Sequence, residues 1–261
     1  MENIPHSAEL FYDLNAFSRP LLIAAVGAGG KTSALFWLAG LFQQAGRRVL
    51  LTTTTHMFVP TAVPLLLCRD PLRLPEAVWQ RPLLACFSAW LPSVGKVRGF
   101  SPALLDALVA QARVDVVLVE ADGAHGFALK APAEHEPCIP QTSRCVIAVT
   151  GGGMLGRAIG PSTVHRWPLF SRITDAAPNE ALSWPMLYRL IRHPQGAFKG
   201  APEGSRRIWL INQLSQNENL PDGGLLQRGD IDAIWAGAVQ ERPAITRRRA
   251  REGCPGWVKT G

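Results

Sequence analysis

The first strong hydrophobic signal is the unbroken apolar run Leu21 to Val26, which stops abruptly at Gly27-Ala28-Gly29-Gly30. A short run that is apolar on both faces predicts a strand buried on both sides. Good helix formers follow from Lys31 to about Gln44, apolar nearly all round, with Gly46 placed to close the helix. Arg47 to Thr54 then reads as a second strand, completing one strand–helix–strand unit. The alternation continues downstream. Leu83 to Ser88 predicts a strand, and Ser101-Pro102 an N-cap and first-turn proline for a helix to about Gln111. Val114 to Val119 and Cys145 to Thr150 predict two more buried strands, the latter ended by Gly151-Gly152-Gly153. A helix over Pro185 to Arg192, a strand over Arg207 to Ile211 and a last strand over Ile231 to Ala236 complete the pattern. Strands alternating with helices predict an α/β fold, three layers around a mostly parallel sheet. Pro194 to Gly204 reads as a surface loop, and Asn212 to Asp230 is too short and Gly/Pro-rich for a full crossover helix.

Composition narrows the class. The chain has 261 residues, 47% hydrophobic, which supplies a sizeable core and excludes intrinsic disorder. No apolar run approaches the ~20 residues of a membrane span, and the first twenty residues carry no signal-peptide block. Five cysteines (Cys68, Cys86, Cys138, Cys145, Cys254) without a C-x-x-C pair read as reduced thiols. Together these features predict a cytoplasmic protein that does not associate with membranes. Of a formal net charge of +7, +5 falls from Arg242 onward, where Arg247-Arg248-Arg249 is the densest run. The organisation expected is therefore an N-terminal segment (1–20), one α/β domain (21–241) and a basic C-terminal tail (242–261). The tail is expected to be solvated and loosely ordered. It is also the only feature that points toward nucleic acid, which is otherwise not an expected partner.

Gly27-Ala28-Gly29-Gly30-Lys31-Thr32-Ser33 carries the strongest chemistry. A glycine loop between a buried strand and a helix frees backbone N–H groups to wrap a phosphate, and the helix N-terminus favours negative charge. Against the pattern G-x-x-x-x-G-K-[ST], Ala25 replaces the first glycine while Gly30-Lys31-Thr32 is intact. Lys31 is the residue to reach phosphate oxygens, and Thr32 to place its hydroxyl on Mg²⁺. The expected fold is thus the P-loop NTPase-like member of the α/β class. A Mg²⁺-nucleotide site also needs a carboxylate at the carboxyl end of a neighbouring strand. Four apolar residues run into Glu120, and Asp122 follows two positions later; either can hold Mg²⁺ or orient a water. Thr52 to Thr55 and His56 end the second strand at the same edge, so Thr54, Thr55 and His56 are candidate substrate contacts. Lys130 is a candidate for an anionic group, Glu134, His135 and Glu136 for a metal or a base, and Arg166 for stabilising phosphate charge in cis.

The ordered set Val26 to Ser33, the threonine block before His56, Glu120 to Ala124, Leu129 to Pro137 and Val164-His165-Arg166 resembles the bacterial YqeC proteins over roughly residues 20 to 212. That family is described as selenium-dependent hydroxylase accessory proteins, associated with maturation of molybdenum hydroxylases. The resemblance implies a nucleotide-binding accessory role with a client hydroxylase as partner. It also suggests Leu210 to Ser215 as the counterpart of an N-K-x-D-like strand end, but Gln213 and Ser215 stand where guanine-reading residues would be. ATP with Mg²⁺ is therefore the expected ligand, and Lys31, Asp122 and Arg166 are the expected catalytic residues. Two other readings stay open: a small-molecule kinase or ATP-dependent ligase, and a non-enzymatic, nucleotide-switched binder.

Overall fold

The computed structural model describes residues 5–251 except 18 and 62. Nine strands form the central sheet: β1 (Leu21–Gly27), β2 (Val49–Thr53), β3 (Leu65–Leu67), β4 (Leu83–Phe87), β5 (Val116–Glu120), β6 (Cys145–Gly151), β7 (Arg206–Asn212), β8 (Ala233–Gly237) and β9 (Ile245–Ala250). Their spatial order is β9-β8-β7-β6-β1-β5-β2-β4-β3. Every pairing is parallel except β8 with β9. Five helices matter for the layers: α1 (Ser7–Asp13), α2 (Lys31–Gln44), α3 (Pro102–Ala110), α4 (Trp167–Thr174) and α5 (Trp184–Arg192).

Period-two alternation along each strand builds the layers. On β1, Leu21, Ile23 and Ala25 pack with Leu10 and Leu14 near α1 and with Leu35, Leu38 and Phe42 of α2. Ala24 and Val26 face the opposite side, against Phe170 of α4 and Leu187 and Leu190 of α5. Leu22 joins Leu105 and Leu108 of α3 on that second side. The sheet is thus sandwiched, as the sequence predicts. Ser101 caps α3 as expected, its Oγ accepting from the Leu104 amide at 3.3 Å.

β1 is central, and the chain leaves it in both directions. It runs first to β2, β3, β4 and β5 on one side, then crosses to β6, β7 and β8 on the other. The carboxyl end of β1 is therefore a topological switch point, the place where ligands of open α/β sheets generally bind.

Within the expected N-terminal segment, α1 buries Leu10 in the core and sets Asp13 at 4% exposure. One expectation needs correction. The basic tail is not loose over its first part, because 245–250 is the edge strand β9. Its arginines are anchored: Arg248 pairs with Asp13 Oδ1 at 2.6 Å, Arg247 donates to the Ser215 and Glu218 carbonyls, and Arg249 to that of Pro221. Trp235 Nε1 donates to Asp13 Oδ2 at 2.7 Å, so the helix, β8 and β9 share one carboxylate. Residues 252–261 of the expected tail, Cys254 among them, lie outside the described residues.

Candidate functional site

β1 ends at Gly27 and α2 begins at Lys31, with the glycine turn between them. The turn needs its glycines for steric reasons. Gly27 has φ +92°, and a Cβ there would sit 2.4 Å from the Val149 carbonyl oxygen of β6. Gly30, at φ +113°, would drive a Cβ to 2.5 Å from Asn212 Nδ2. An L side chain is disfavoured at such a φ and has no room here. Asn212, buried at the end of β7, latches the turn: its Nδ2 donates to the Gly29 carbonyl at 2.7 Å, and its Oδ1 accepts from the Val239 amide at 3.1 Å.

Parallel register brings the acidic strand end to the same place. Ala25 of β1 pairs with Glu120 of β5. Thr32 Oγ1 then donates to Glu120 Oε2 at 2.6 Å. The Lys31 ammonium folds back over the turn, donating to the Gly27 carbonyl at 2.7 Å and lying 3.1 Å from Asp122 Oδ1 and 4.0 Å from Glu120 Oε1. Asp122 Oδ2 accepts from the Gly27 amide at 3.0 Å and from Lys130 Nζ at 2.8 Å. Lys130 also donates to the Gly123 carbonyl at 2.6 Å and to Glu136 Oε2 at 2.7 Å. Arg166 completes the series by donating to the same Glu136 oxygen. Lys130 and Arg166 reach the same carboxylate because the strand Leu129–Lys130 pairs with Val164–His165, His165 opposite Lys130. The result is an alternating chain of charge, Glu120, Lys31, Asp122, Lys130, Glu136 and Arg166, that starts at the turn and ends at the N-cap of α4.

Burial and pairing compete along this chain. Burial works against the Lys31 charge, but the Asp122 and Glu120 carboxylates outweigh it and hold the ammonium above its ordinary range. Burial dominates at Glu120 and raises its carboxyl, despite Lys31 and Thr32. At Glu136 burial is overcome by the hydrogen bonds from Arg166 and Lys130, which hold its carboxyl at about 2. His165, stacked on His125 at 4.7 Å, is lowered to about 4 by burial and by the neighbouring Arg166.

The sequence candidates thus fall into two groups. Gly27 to Thr32, Glu120, Asp122, Lys130 and Arg166 form one connected cluster. Ser33 is at its edge, its Oγ 3.3 Å from Gln240 Nε2. Thr54 and Thr55 lie beside Glu120, but the Thr54 hydroxyl is committed to the Cys138 carbonyl at 2.7 Å, and Thr55 Oγ1 lies 3.3 Å from Thr53 Oγ1. His56 is exposed and opens a separate three-stranded antiparallel sheet with 89–91 and 96–98, paired with Arg98. Lys130 lies against carboxylates at 4% exposure, with three bonds of its own. Glu136 takes the place in the cluster that the sequence left undecided among Glu134, His135 and Glu136. Asn212 stands in the segment compared with a base-reading motif, yet it braces the turn. Among the described residues no group of three His, Cys, Asp or Glu side chains is placed to hold a metal ion.

A family model described as YqeC protein matches residues 23–168, more than half of the chain. The chain belongs to the YqeC family. It is also 53% identical over 253 residues to the Escherichia coli (strain K12) protein named "Uncharacterized protein YqeC", covering 95% of this chain and 99% of that one. No solved structure matches. The matched stretch of this YqeC-family chain contains the turn, Glu120, Asp122, Lys130, Glu136 and Arg166, whereas Asn212 lies beyond it. No helix among the described residues is long and apolar enough to cross a membrane.

Proposed function

We propose that this protein is a P-loop nucleotide-binding protein that takes Mg²⁺-ATP at the Gly27–Ser33 turn. The observation that carries the reading is the pairing of the Thr32 hydroxyl with the Glu120 carboxylate at 2.6 Å, with Lys31 folded over the turn, at the sheet's switch point. A magnesium–phosphate site needs backbone amides and a lysine for phosphate oxygens, a hydroxyl on the metal, and a carboxylate behind it. The Gly27, Ala28 and Gly29 amides already donate to Asp122, Val149 and Phe127, so the amides at the start of α2 are the ones for the phosphate. Thr32 and Glu120 would hold the ion, which supplies charge neutralisation at the phosphates; the remaining positions of an octahedral Mg²⁺ suit water and ligand oxygens. Lys31 binds and orients the phosphate chain. Asp122, linked to both lysines, is the group able to position a water or accept a proton beside the outermost phosphate. Arg166 adds positive charge from the α4 side. Hydrolysis or phosphoryl transfer is then electrostatic work by fixed groups. The family resemblance supports the biological context, a cytoplasmic accessory role in maturing a selenium- or molybdenum-dependent hydroxylase.

A nucleotide-switched binder is the second reading, and one observation favours it. The ionic chain from Lys31 to Arg166 ties the turn to the start of α4. Changing the charge in the turn would therefore bias a helix that a client can contact. Binding without turnover, together with nucleotide-dependent capture of a hydroxylase, separates it from an ATPase; product formed from an added metabolite identifies a kinase or ligase.

The test is calorimetric titration of ATP, GTP and CTP with Mg²⁺ on wild type, Lys31→Ala and Thr32→Val. ATP is expected to bind wild type, with each variant weaker by roughly tenfold to a hundredfold, the loss of one charged or metal-linked contact. Lys31 is buried among carboxylates, so thermal unfolding must show each variant folded at the titration temperature. No nucleotide binding to wild type overturns the reading.

A further inference from the structure

Cys86 lies on β4 with 0% exposure, and Cys68 directly follows the edge strand β3, half-buried. The two strands pair in parallel, Leu66 opposite Cys86 and Leu67 opposite Phe87, and the Cys68 amide extends the pairing by donating to the Phe87 carbonyl at 2.9 Å. Cys68 stands two residues beyond Leu66, so the two point to the same side of the sheet. That side is the apolar layer under α3, where Leu66 and Cys68 pack against the cluster that contains Cys86, Leu84 and Leu105. The sulfurs lie 3.4 Å apart. Both side chains thus converge across the last pair of strands, Cys86 fully buried and Cys68 only partly so.

We propose that Cys68 and Cys86 are a modification site, a dithiol that a low-molecular-weight disulfide such as oxidised glutathione converts to an intramolecular disulfide. The Cys68 thiolate attacks a glutathione sulfur, forming a mixed disulfide and releasing one glutathione thiolate. The Cys86 thiolate then attacks the Cys68 sulfur and releases the second. Two protein thiols lose two electrons and two protons, and one glutathione disulfide becomes two glutathione molecules. Cys68 is the entry point because it is the more exposed of the pair, and Cys86 is the resolving thiol because its sulfur lies 3.4 Å from that of Cys68. Burial raises both thiols, so the exchange quickens as pH rises and more thiolate forms. The product ties the three-residue edge strand, whose Leu65 and Leu67 are 37% and 43% exposed, to its one neighbour in the sheet. The site is independent of the nucleotide reading.

The experiment treats the full chain with oxidised glutathione, quenches in acid, unfolds it, alkylates free thiols and maps peptides without reduction. The expected result is a Cys68–Cys86 linked peptide, loss of two of the five alkylatable thiols, and full reversal by dithiothreitol. Cys86→Ser is expected to stop at glutathione retained on Cys68, and Cys68→Ser to give no internal link. Hydrogen exchange at the Cys68 amide is expected to slow in the oxidised protein. Five free thiols after treatment, a stable mixed disulfide on wild-type Cys68, or a link between any other pair would overturn the proposal.

Discussion

Lys130→Met is the sharpest perturbation of the buried ionic chain. The Lys130 side chain is 1% exposed and its ammonium bridges Asp122 and Glu136 while bonding the Gly123 carbonyl. Methionine fills the space of the aliphatic stem but brings no charge, so the effect is electrostatic rather than a cavity. Removing one partner of a buried ion pair costs about 3–5 kcal/mol. Neither carboxylate is wholly abandoned here: Asp122 keeps Lys31 and the Gly27 amide, and Glu136 keeps Arg166. The lower end of that range follows, about 3 kcal/mol. Equilibrium urea unfolding reads it as a fall in midpoint of roughly 1 M at unchanged slope. The double variant Lys130→Met/Glu136→Gln removes the charge that Lys130 would have balanced. It should therefore be less destabilised than the sum of its single variants, by about 1–2 kcal/mol. A Lys130→Met loss under about 1 kcal/mol, the size of a solvated pair, would refute the bridge, as would strict additivity.

Three further outcomes follow from the same geometry. Arg248→Met strips the Asp13 carboxylate, 4% exposed, of its guanidinium partner while the Trp235 N–H bond remains; a loss of about 3 kcal/mol and faster proteolysis before residue 21 are expected, whereas a loose tail would show neither. Asn212→Ala orphans the Gly29 carbonyl and the Val239 amide, so a loss of about 2 kcal/mol should appear in urea unfolding, with nucleotide affinity lowered as well on the proposed reading. Acid sensitivity has a defined sign: Glu136 is held at about 2 against an ordinary 4.5, so its stabilisation is complete above 4.5 and lost as pH falls toward 2. His165 is held at about 4 against an ordinary 6.5, so the unfolded chain takes its proton first and stability also falls between 6.5 and 4. Melting temperature against pH is the measurement: Glu136→Gln should lack the lower step and His165→Phe the upper.

What was legible in the sequence was local. A buried strand, a glycine turn and a helix follow one another within Leu21 to Gln44, so the apolar run and the turn chemistry fix them together. Glu120 was legible for the same reason, since an apolar strand running into a carboxylate points that carboxylate at the sheet's edge. The partners of Glu136 and Arg166 were not, because they lie 30 residues apart and meet only where two-residue strands pair. The tail failed for a related reason. Counting charge cannot tell solvated arginines from paired ones, and the carboxylate that anchors Arg248 is 235 residues away. The Ile245–Ala250 alternation of buried and open positions was a strand signal hidden behind three arginines.

Lys31 shows how the two levels interact. As a loop lysine it would contribute little to the core, and its removal would report on phosphate binding alone. In the fold it is 4% exposed and pressed between Asp122 and Glu120, so its charge also neutralises two buried acids. On the proposed reading, an incoming phosphate offers Lys31 a competing anion, and Asp122 does not become an orphan because Lys130 continues to hold it. The second lysine is therefore what lets the first change partners. Without Lys130, binding phosphate at the turn would leave Asp122 with backbone support only, and part of the binding energy would be lost to that desolvated charge. Lys130→Met is then expected to weaken nucleotide binding at a distance from the phosphates while leaving the turn's own amides, Lys31 and Thr32 intact. Calorimetry on the folded variant decides it: unchanged affinity would mean that Lys31 keeps Asp122 when nucleotide binds, and that the ionic chain is support for the fold rather than part of the site.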